Sequence, residues 1–413
     1  MTRFGTSRLF LLTRDRMAVL CFLLLALGLV ERLAFLPAHT VDTVNFLTPW
    51  LRAAEQEGGG YLRHSFTNYT AFYEHCLALI ALFPGPGVLR TKIFAILCDG
   101  VLAFAVSRLV PPGRRWLAAA VTLALPTIAM NSALLAQSDA IYGAMTVACI
   151  AAALHGRPVW AMLAFSAAIA VKLQALLAAP LLVLLWLDRR QPLWTFALIP
   201  LGYLVFALPM AVAGRPAAEI FGVYGQQFGF YAVLSNNAPN IWQVGQRLMS
   251  YDHGVMLGLP GAMVATAAAV LLLWRAGALQ ARDGLLLAAA IVLILVPYVT
   301  PKMHDRYFYL VDPVLVALAC RDRRFVAPML LAQAASILAY LPFIADGYIA
   351  DDPTWGRTGS VALTTGLSYP MLPLLGTAAM GAALVLLVGE AWRRAEWRGF
   401  AFPRLQQGFR VAG

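Results

Sequence analysis

Residues 17–36 read MAVLCFLLLALGLVERLAFL, an apolar stretch that follows the basic start MTRFGTSRLFLLTRDR. A helix of about 20 apolar residues is long enough to cross a lipid bilayer. The stretch lacks the small-residue cleavage site that is typical of a secretory signal, and apolar segments continue along the whole chain. We therefore expect an uncleaved first membrane span that begins on the basic side.

Further apolar stretches of this kind follow, so the sequence predicts an all-α polytopic membrane protein with about twelve transmembrane helices. The pair at 158–187 is short and suits a tight hairpin that stops before it crosses fully. Because no internal repeat is present, we expect residues 1–413 to form a single transmembrane domain. The predicted spans are 17–36, 89–109, 115–132, 139–155, 158–171, 173–187, 193–213, 255–274, 283–300, 307–320, 325–342 and 369–391.

The composition excludes a soluble protein. Of the 413 residues, 61% are hydrophobic and 12% are charged, whereas soluble domains carry about a quarter charged residues. Lipid must therefore cover part of the apolar surface. The net charge of +11 fits basic loops that orient a membrane protein, and we expect no nucleic-acid partner. The five cysteines form no CxxC pair or metal-type cluster and predict neither a zinc site nor a disulfide framework.

The distribution of arginine predicts the orientation. With the N-terminus in the cytoplasm, every proposed inner loop and the tail 392–413 are basic, as the positive-inside rule requires. Both termini are then cytoplasmic, and the long loops face outward. The alanine- and arginine-rich composition suggests a bacterium, so we expect the bacterial inner membrane with a periplasmic active site.

The stretch 69–84 is apolar but short, and it ends in Phe83-Pro84-Gly85-Pro86-Gly87. Counting it as a span would place every later arginine-rich loop outside. We therefore expect the outer loop 37–88 to contain helices that lie on the membrane surface. The other long outer loops are 214–254 and 343–368.

Three acids stand at informative positions. Asp42 follows the first span and precedes an amphipathic stretch that suits a surface helix. Asp139 begins the fourth span, within Gln137-Ser138-Asp139. Asp42 is a candidate general base, and the alternative is an N-cap or a solvated loop aspartate. Asp139 is a candidate second acid facing the same outer cavity, and the alternative is an acid that the helix dipole stabilises. Asp99, in the middle of the second span, is expected to make a structural hydrogen bond between helices.

Cations also occur where the charge rule does not predict them. Lys172 and Gln174 lie at the tip of the short hairpin, where the lysine either snorkels to the interface or meets an anion. The run Pro301 to Tyr309 reads PKMHDRYFY and crowds two fixed cations at an outer boundary. A lipid-carrier phosphate would favour them there, and the alternative is an internal ion-pair network with Asp305 or nearby acids.

In this order, these runs resemble the GT-C superfamily of membrane glycosyltransferases. The nearest branch is a bacterial one related to the GPI mannosyltransferases and the dolichyl-phosphate-glucose-dependent glucosyltransferases. Each piece alone is weakly specific, whereas the ordered set, from about Glu31 to the last span, is fairly specific. The matching pieces are Asp42 with Phe46, Asn68-Tyr69, Lys92 with Asp99, QSDAIY at 137–142, KLQ at 172–174, NAPN at 237–240 and KMHDRYF at 302–308.

The resemblance implies an inverting transfer of a sugar, such as mannose or glucose, from a polyprenyl-phosphate donor. The acceptor, a glycan, glycolipid or protein, would receive it at the periplasmic face. Asp42 is implied as the general base and Asp139 as a second catalytic acid, and we expect the donor phosphate to meet Lys302, His304, Arg306 and Lys172. The other expected cavity residues are Gln137, Gln174, Tyr69, Asn237, Asn240 and Asp305.

The sequence also departs from that family. Leu135-Ala136 stand where relatives often have Trp-Gly, and Tyr69-Thr70-Ala71 stand where many have Tyr-Pro-Pro, so the sugar and the acceptor stay open. The first loop has no paired DxD motif, so we expect metal-independent catalysis without a cofactor.

Two other classes of function compete with a transferase. A transporter or flippase of lipid-linked glycans would predict inverted repeats and broken helices near mid-membrane, whereas the polar clusters of this sequence gather at one face. A membrane scaffold without chemistry leaves Lys302, His304 and Arg306 unexplained.

Overall fold

The computed structural model describes residues 14–40, 42–229, 232–346 and 371–395. Helices dominate these parts, which confirms the all-α prediction, and short 3-10 and π-helical turns join them. Most of the predicted loop 343–368 and of the tail 392–413 lies outside the described residues. The helices are α1 (Arg14–Phe35), α2 (Thr48–Glu57), α3 (Ala71–Ala81), α4 (Gly87–Ser107), α5 (Arg115–Leu123), α6 (Pro126–Ala129), α7 (Asp139–Leu154), α8 (Pro158–Val171), α9 (Ala179–Leu187), α10 (Leu198–Val212), α11 (Ala217–Gly229), α12 (Trp242–Leu248), α13 (Tyr251–Arg275), α14 (Gly284–Val299), α15 (Val311–Arg321), α16 (Val326–Asp346) and α17 (Met371–Arg393).

Several helices have the length and apolar composition of membrane spans, which supports a membrane protein. Among the described residues there are five such segments, and the pair Pro112–Leu123 and Pro126–Leu134, bent by 56°, would make a sixth. Other predicted spans coincide with shorter apolar helices, so twelve crossings stay a prediction. The five segments are Asp15–Phe35, Leu193–Val212, Tyr251–Arg275, Arg323–Pro342 and Met371–Arg393.

Two of the short apolar helices, α14 and α15, lie in the centre of the bundle. In α14 every residue from Leu285 to Ile294 is buried, and in α15 the same holds from Val311 to Ala319. A helix of 16 residues such as α14 is about 24 Å long, less than the roughly 30 Å of a hydrocarbon core. Apart from Asp312, which accepts from the Thr127 hydroxyl at 2.8 Å, the buried parts of these two helices are apolar on all sides because protein surrounds them.

Two buried cations tie α1 to its neighbours. Arg32 binds Asp99 Oδ2 through Nε at 3.1 Å and Nη2 at 2.7 Å, so the mid-span acid has a charged partner as well as the expected hydrogen bond, from Ser132. Lys92 donates to the carbonyls of Phe35 and Leu36 at 3.0 Å each. The lysine thereby satisfies carbonyls that the end of α1 leaves without helical partners.

The first outer loop folds into α2 and α3, as predicted, although their position relative to lipid stays a prediction. With 11 residues, α3 is about 17 Å long, too short to cross a bilayer. Arg215, which precedes α11, reaches into this loop and binds Glu74 at 2.7 Å and the His64 carbonyl at 2.7 Å. The predicted outer loops 37–88 and 214–254 are therefore joined by a buried ion pair.

The bundle brings the ends of several helices and their connecting segments together. The start of α7, the end of α8, the segment after α1 and the connection from α14 to α15 meet at one end of the molecule. That connection contains the strand β2 (Met303–His304), which pairs in parallel with β1 (Ser235–Asn236). Residues far apart in the sequence thus converge on one cavity.

Candidate active site

A cavity of about 120 Å³ opens at this end of the bundle. Seven of the predicted site residues line it, and the contact between Asp42 and Arg306 joins positions 264 residues apart. Polar groups and aromatic rings share its wall, as is typical of a ligand pocket. The lining residues are Asp42, Phe46, Leu47, Trp50, Asn68, Tyr69, Tyr73, Gln137, Lys172, Gln174, His304, Arg306 and Tyr307.

A π-helical turn, Thr43–Leu47, follows Asp42 and leads into α2. Thr40 and Thr43 fix its start, because the Thr40 N–H donates to Thr43 Oγ1 at 2.8 Å and the Thr43 hydroxyl donates to the Thr40 carbonyl at 2.8 Å. Single π-helical turns are frequent at functional sites. The position of Asp42 at the cavity is thus set by local hydrogen bonds of its own segment.

Two donors from other elements hold the Asp42 carboxylate. Its Oδ2 accepts from Gln137 Nε2 at 3.0 Å and from Arg306 Nη1 at 3.0 Å. The Tyr69 hydroxyl donates in turn to Gln137 Oε1 at 3.4 Å. The predicted base is therefore oriented by an amide and a guanidinium at the cavity wall.

The residue before Gln137 has a left-handed backbone. Ala136 has φ of 52°, a conformation that costs a residue with a Cβ roughly 1–2 kcal/mol. Glycine adopts it freely, and glycine is the residue that the resembled family often has at this position. The Gln137 N–H donates to the Asn131 carbonyl at 3.0 Å, which helps to hold the turn. Backbone strain of this kind is typical of functional sites.

Lys172 and Asp139 form an ion pair in the cavity wall, with side chains exposed by only 6% and 1%. Asp139 Oδ1 accepts from Lys172, and its Oδ2 accepts from Asn131 at 2.7 Å. Burial is the largest single influence on the pKa of Lys172 and lowers it, but the charge and hydrogen bond of Asp139 together with Tyr69 outweigh burial, and the net pKa is raised. Both Asp139 oxygens are thus engaged, and the geometry lets Asp139 act on the cavity through Lys172. Its predicted catalytic role stays a prediction.

The neighbouring strand fixes the imidazole of His304. Asn236 lies opposite His304 in the β1–β2 pair, and its Nδ2 donates to His304 Nδ1 at 3.1 Å. An amide NH₂ group only donates, so the ring proton of neutral His304 lies on Nε2. Burial, with Arg306 and Lys172 adding to it, lowers the pKa of His304 to about 3. At neutral pH His304 is therefore a neutral hydrogen-bond donor.

Asp305 and Arg306 complete this loop. Asp305 is buried, and its Oδ1 accepts from the Arg306 N–H at 3.0 Å. Burial raises the pKa of Asp305 to about 6 against the lowering effect of Arg306, and the Asp42 carboxylate adds to the rise. The Arg306 guanidinium lies 4.0 Å from Asp305 and 3.0 Å from Asp42. A single permanent cation therefore stands between two carboxyl groups.

Lys302 lies beside a second cavity that adjoins the first. Its backbone is left-handed, with φ of 65°, and its Nζ donates to the Tyr251 hydroxyl at 2.5 Å. The second cavity measures about 260 Å³ and shares Gln174, His304 and Tyr307 with the first. Its remaining lining is mostly apolar: Leu173, Leu176, Leu177, Val233, Asn236, Leu259, Thr300, Pro301, Lys302 and Met303.

Aromatic rings form the wall of the first cavity on the side of α2 and α3. The Trp50 ring lies 5.7 Å from Phe46 and 5.5 Å from Tyr69, and Tyr69 lies 4.7 Å from Tyr73. Rings at these distances pack favourably and resist rearrangement. The first cavity thus has one rigid aromatic side and one charged side.

Three of the predicted cavity residues, Asn237, Asn240 and Asp305, line neither of the two cavities. Asn240 is buried, donates to the carbonyls of Pro297 and Thr300 at 3.2 Å each, and accepts from the Trp242 N–H. Asn237 has φ of 56° and makes a backbone bridge to His304. Asn240 therefore holds the loop between α11 and α12 against the end of α14, and Asn237 pairs through its backbone.

Sequence reasoning missed several residues that the structure brings to the site. Asn236 stands beside the predicted Asn237, and only the strand register shows which of the two contacts His304. Asn131 lies inside a predicted span, where a buried amide is a signal in itself. Tyr251 opens α13 with no local motif to mark it.

A metal site requires several ligand side chains close together. In the described parts of the chain, no three His, Cys, Asp or Glu side chains come together as metal ligands would. Metal-independent chemistry stays a prediction.

No protein-family model matches the sequence, and no curated protein matches it. The resemblance to the GT-C superfamily therefore rests on the quoted motifs, and the function is argued from the geometry of the site.

Proposed function

We propose that this protein is a membrane glycosyltransferase of the GT-C type. It transfers a hexose from a polyprenyl-phosphate donor to a hydroxyl of a glycan, glycolipid or protein. The reaction takes place at the end of the bundle that carries the two cavities, which is the periplasmic face of a bacterial inner membrane in the orientation that the positive-inside rule favours.

One observation carries the proposal: a charged cavity and an apolar cavity adjoin at Gln174, His304 and Tyr307. A lipid-linked sugar phosphate has the same division into a polar head and an apolar tail. The cations Lys172 and Arg306 line the charged cavity, whereas Leu173, Leu176 and Leu259 are among the residues that line the apolar one. The donor phosphate would lie at the junction, beside the Nε2–H of His304.

The chemistry assigns each group a task. The bond between the sugar C1 and the phosphate oxygen breaks, and a bond between C1 and the acceptor oxygen forms on the opposite face. The acceptor hydroxyl gives its proton to Asp42, and the leaving polyprenyl phosphate keeps the electron pair of the broken bond. Lys172 and Arg306 stabilise the negative charge that grows on the phosphate.

The contact between Arg306 and Asp42 couples these tasks. The Arg306 contact occupies Asp42 Oδ2 and so competes with an acceptor hydroxyl for that oxygen. A donor phosphate that attracts Arg306 would loosen its contact with Asp42 and leave Asp42 to accept a proton. Asp139 serves by holding Lys172 charged and in place within the wall.

The test is a transfer assay with the purified full-length protein in lipid nanodiscs. Radiolabelled polyprenyl-phosphate mannose and glucose serve as donors, and glycolipids extracted from a strain that lacks the protein serve as acceptors. We expect label in the acceptor fraction with the wild type and a loss of about 10²–10⁴-fold with Asp42→Asn, the usual contribution of a general base. Asp15→Asn, a change at an exposed acid outside the cavity, serves as the matched control and should transfer normally.

Full activity of Asp42→Asn would remove Asp42 as the base. If neither donor gives transfer, while sealed vesicles containing the protein move the labelled donor across their membrane, the proposal fails in favour of a flippase.

A further inference from the structure

A larger groove runs along the bundle, and its mouth lies at the end opposite the candidate active site. It measures about 610 Å³ and runs between α4 and α7, with the first turn of α8 at its mouth. The orientation follows from α7, because Asp139 begins this helix beside the active-site cavity and His155 follows its other end at the groove. The groove is lined by Cys98, Val101, Phe104, Ala105, Arg108, Ile141, Ala144, Met145, Ala148, Ala151, Ala152, His155, Arg157 and Trp160.

The length of the groove matches one leaflet of a bilayer. Along α4 it extends from Cys98 to Arg108, and along α7 from Ile141 to Ala152. At 1.5 Å per helical residue these distances are about 15–17 Å, which is half of a hydrocarbon core of roughly 30 Å. Small side chains such as Ala144 and Ala148 keep the floor of the groove low. Acyl chains fit a groove of this length, depth and apolar lining.

Basic groups gather at the mouth of the groove only. Arg108 follows the end of α4, Arg157 precedes α8, and both are exposed. His155 stands between them in the lining, and its Nδ1 donates to the Ala151 carbonyl at 2.6 Å. Trp160, 64% exposed, completes the mouth, and tryptophan is enriched where a protein surface meets lipid headgroups.

Two arginines elsewhere near this end of the bundle have acidic partners. Arg321 binds Asp283 at 2.5 Å, and Arg393 binds Glu390 at 2.5 Å. Within residues 14–40, 42–229, 232–346 and 371–395, by contrast, no carboxylate pairs with Arg108 or Arg157. Two exposed cations above an apolar groove therefore lack an acid from the described chain, and a negatively charged headgroup would supply one.

We propose that this groove binds one anionic phospholipid, with its acyl chains between α4 and α7 and its phosphate at Arg108 and Arg157. The occupant is a membrane lipid because the groove has the length of a leaflet and an apolar lining. It is anionic because its headgroup lies against two cations that have no described partner. The site is independent of the proposed transferase activity, and its test uses binding alone.

The experiment measures lipid binding to the purified full-length protein after removal of lipid in a neutral detergent. Phosphatidylglycerol and phosphatidylcholine with identical acyl chains are titrated in native mass spectrometry. We expect phosphatidylglycerol to bind about twenty-five-fold more tightly, because each of the two arginines near the headgroup contributes about fivefold. The preference should shrink as the salt concentration rises.

Two kinds of variant test the two halves of the site. The double change Arg108→Gln and Arg157→Gln should bring phosphatidylglycerol to the level of phosphatidylcholine. Ala148→Trp fills the groove and keeps both cations, and it should reduce binding of both lipids. Arg323→Gln, at an exposed arginine outside the groove, and Ala268→Trp, at an exposed alanine of α13, are the matched controls and should bind as the wild type does.

Equal binding of the two lipids to the wild type would overturn the proposal. An unchanged preference in the double arginine variant, or unchanged binding in Ala148→Trp, would also overturn it, because the lipid would then lie elsewhere. If the double variant fails to fold, Ala148→Trp and the salt titration decide the question. A dimer that persists without lipid and disappears in Ala148→Trp would assign the groove to a second copy and reject the lipid.

Discussion

Two arginine–aspartate pairs in this molecule have opposite surroundings. In the pair of Arg32 with Asp99, both side chains are buried, at 7% and 0% exposure, and Arg32 also donates to the carbonyls of Gly28 and Leu123. In the pair of Arg306 with Asp42, the side chains are 15% and 16% exposed and line a cavity.

The difference lies in what surrounds each pair. The guanidinium of Arg32 meets three acceptors, and Asp99 Oδ2 also accepts from Ser132 at 2.5 Å, so protein groups enclose this pair. Within the described residues Asp99 Oδ1 is buried without a hydrogen-bond partner. The pair at the cavity is joined at 3.0 Å and borders open space. A pair enclosed by protein holds helices together, whereas a pair that borders a cavity can exchange its partner for a ligand.

The largest effect on stability is expected at the buried pair. Arg32→Met leaves Asp99 as an uncompensated buried charge, and such changes cost about 3–5 kcal/mol. Arg306→Met, as the matched change at the cavity, should cost less than Arg32→Met, because the side chains of this pair are 15% and 16% exposed and border a cavity, so the charge left behind is less deeply buried. The free energy of unfolding in denaturant titrations of the detergent-solubilised protein measures both.

The double variant Arg32→Met with Asp99→Leu should recover most of the lost stability, because no lone charge then remains. Equal losses in Arg32→Met and Arg306→Met would show that both pairs are structural, and the distinction between them would fall.

The next effect concerns the binding of a phosphate at the open pair. Arg306→Gln should weaken the binding of a polyprenyl phosphate about 10- to 100-fold, the contribution of a hydrogen bond to a charged group. The affinity of Arg306→Lys for polyprenyl phosphate should fall between those of Arg306→Gln and the wild type, because lysine keeps the charge but loses the planar guanidinium fork. Fluorescence titration of the protein in nanodiscs measures the affinity.

The uncharged polyprenol is the control ligand for that titration. It should bind wild type and Arg306→Gln alike, because the apolar cavity is unchanged. If Arg306→Gln weakens polyprenol and polyprenyl phosphate equally, Arg306 does not recognise a phosphate.

The loop 302–306 should also give a signature in the pH dependence of stability. The pKa of Asp305 is raised to about 6 in the fold, so the folded protein binds the extra proton first and gains stability as the pH falls from 6 towards the ordinary aspartate range. The pKa of His304 is lowered to about 3, so stability is lost as the pH falls below the ordinary histidine value of 6.5. The two groups therefore act in opposite directions.

Asp305→Asn should make acidification more destabilising, by at most about 3 kcal/mol at about 1.4 kcal/mol per pKa unit. His304→Gln should make it less destabilising. Unfolding free energies measured between about pH 4.5 and about pH 7.5 test both variants. A shift of the same sign in the two variants would contradict the assigned charge states.

The smallest effect is expected at the asparagine that orients His304. Asn236→Ala removes the donor to His304 Nδ1 and should lower the transfer rate about threefold to tenfold, the value of a hydrogen bond of about 1 kcal/mol. Asn237→Gly is the control, because glycine tolerates the left-handed backbone of that position. If Asn237→Gly lowers transfer more than Asn236→Ala does, the neighbouring residue has the functional contact.

Much of the secondary structure was predictable from the sequence. A helix occurs in every segment predicted as a span, because apolar runs in lipid must satisfy their own backbone hydrogen bonds. The number of membrane crossings was harder to predict from the sequence. In α14 an apolar run marks burial within protein as well as burial in lipid, and composition does not separate the two.

The candidate site was predictable as a set of residues but not as a set of contacts. Asp42, Gln137, Lys172, His304 and Arg306 do line one cavity. The sequence did not reveal that Arg306 pairs with Asp42, because these residues are 264 positions apart. Nor did it reveal that His304 is neutral, since burial and neighbouring charge set its pKa.

The sequence by itself determined that this chain is helical and belongs in a membrane, because composition and the length of apolar runs are local properties that lipid selects. The tertiary structure alone decided which charges are enclosed by protein and which border a cavity. Arg32 and Arg306 are the same residue type near the ends of predicted spans, and only packing gives one of them three acceptors and the other an open cavity. Electrostatic roles depend on surroundings in space, and those are fixed only when distant segments meet.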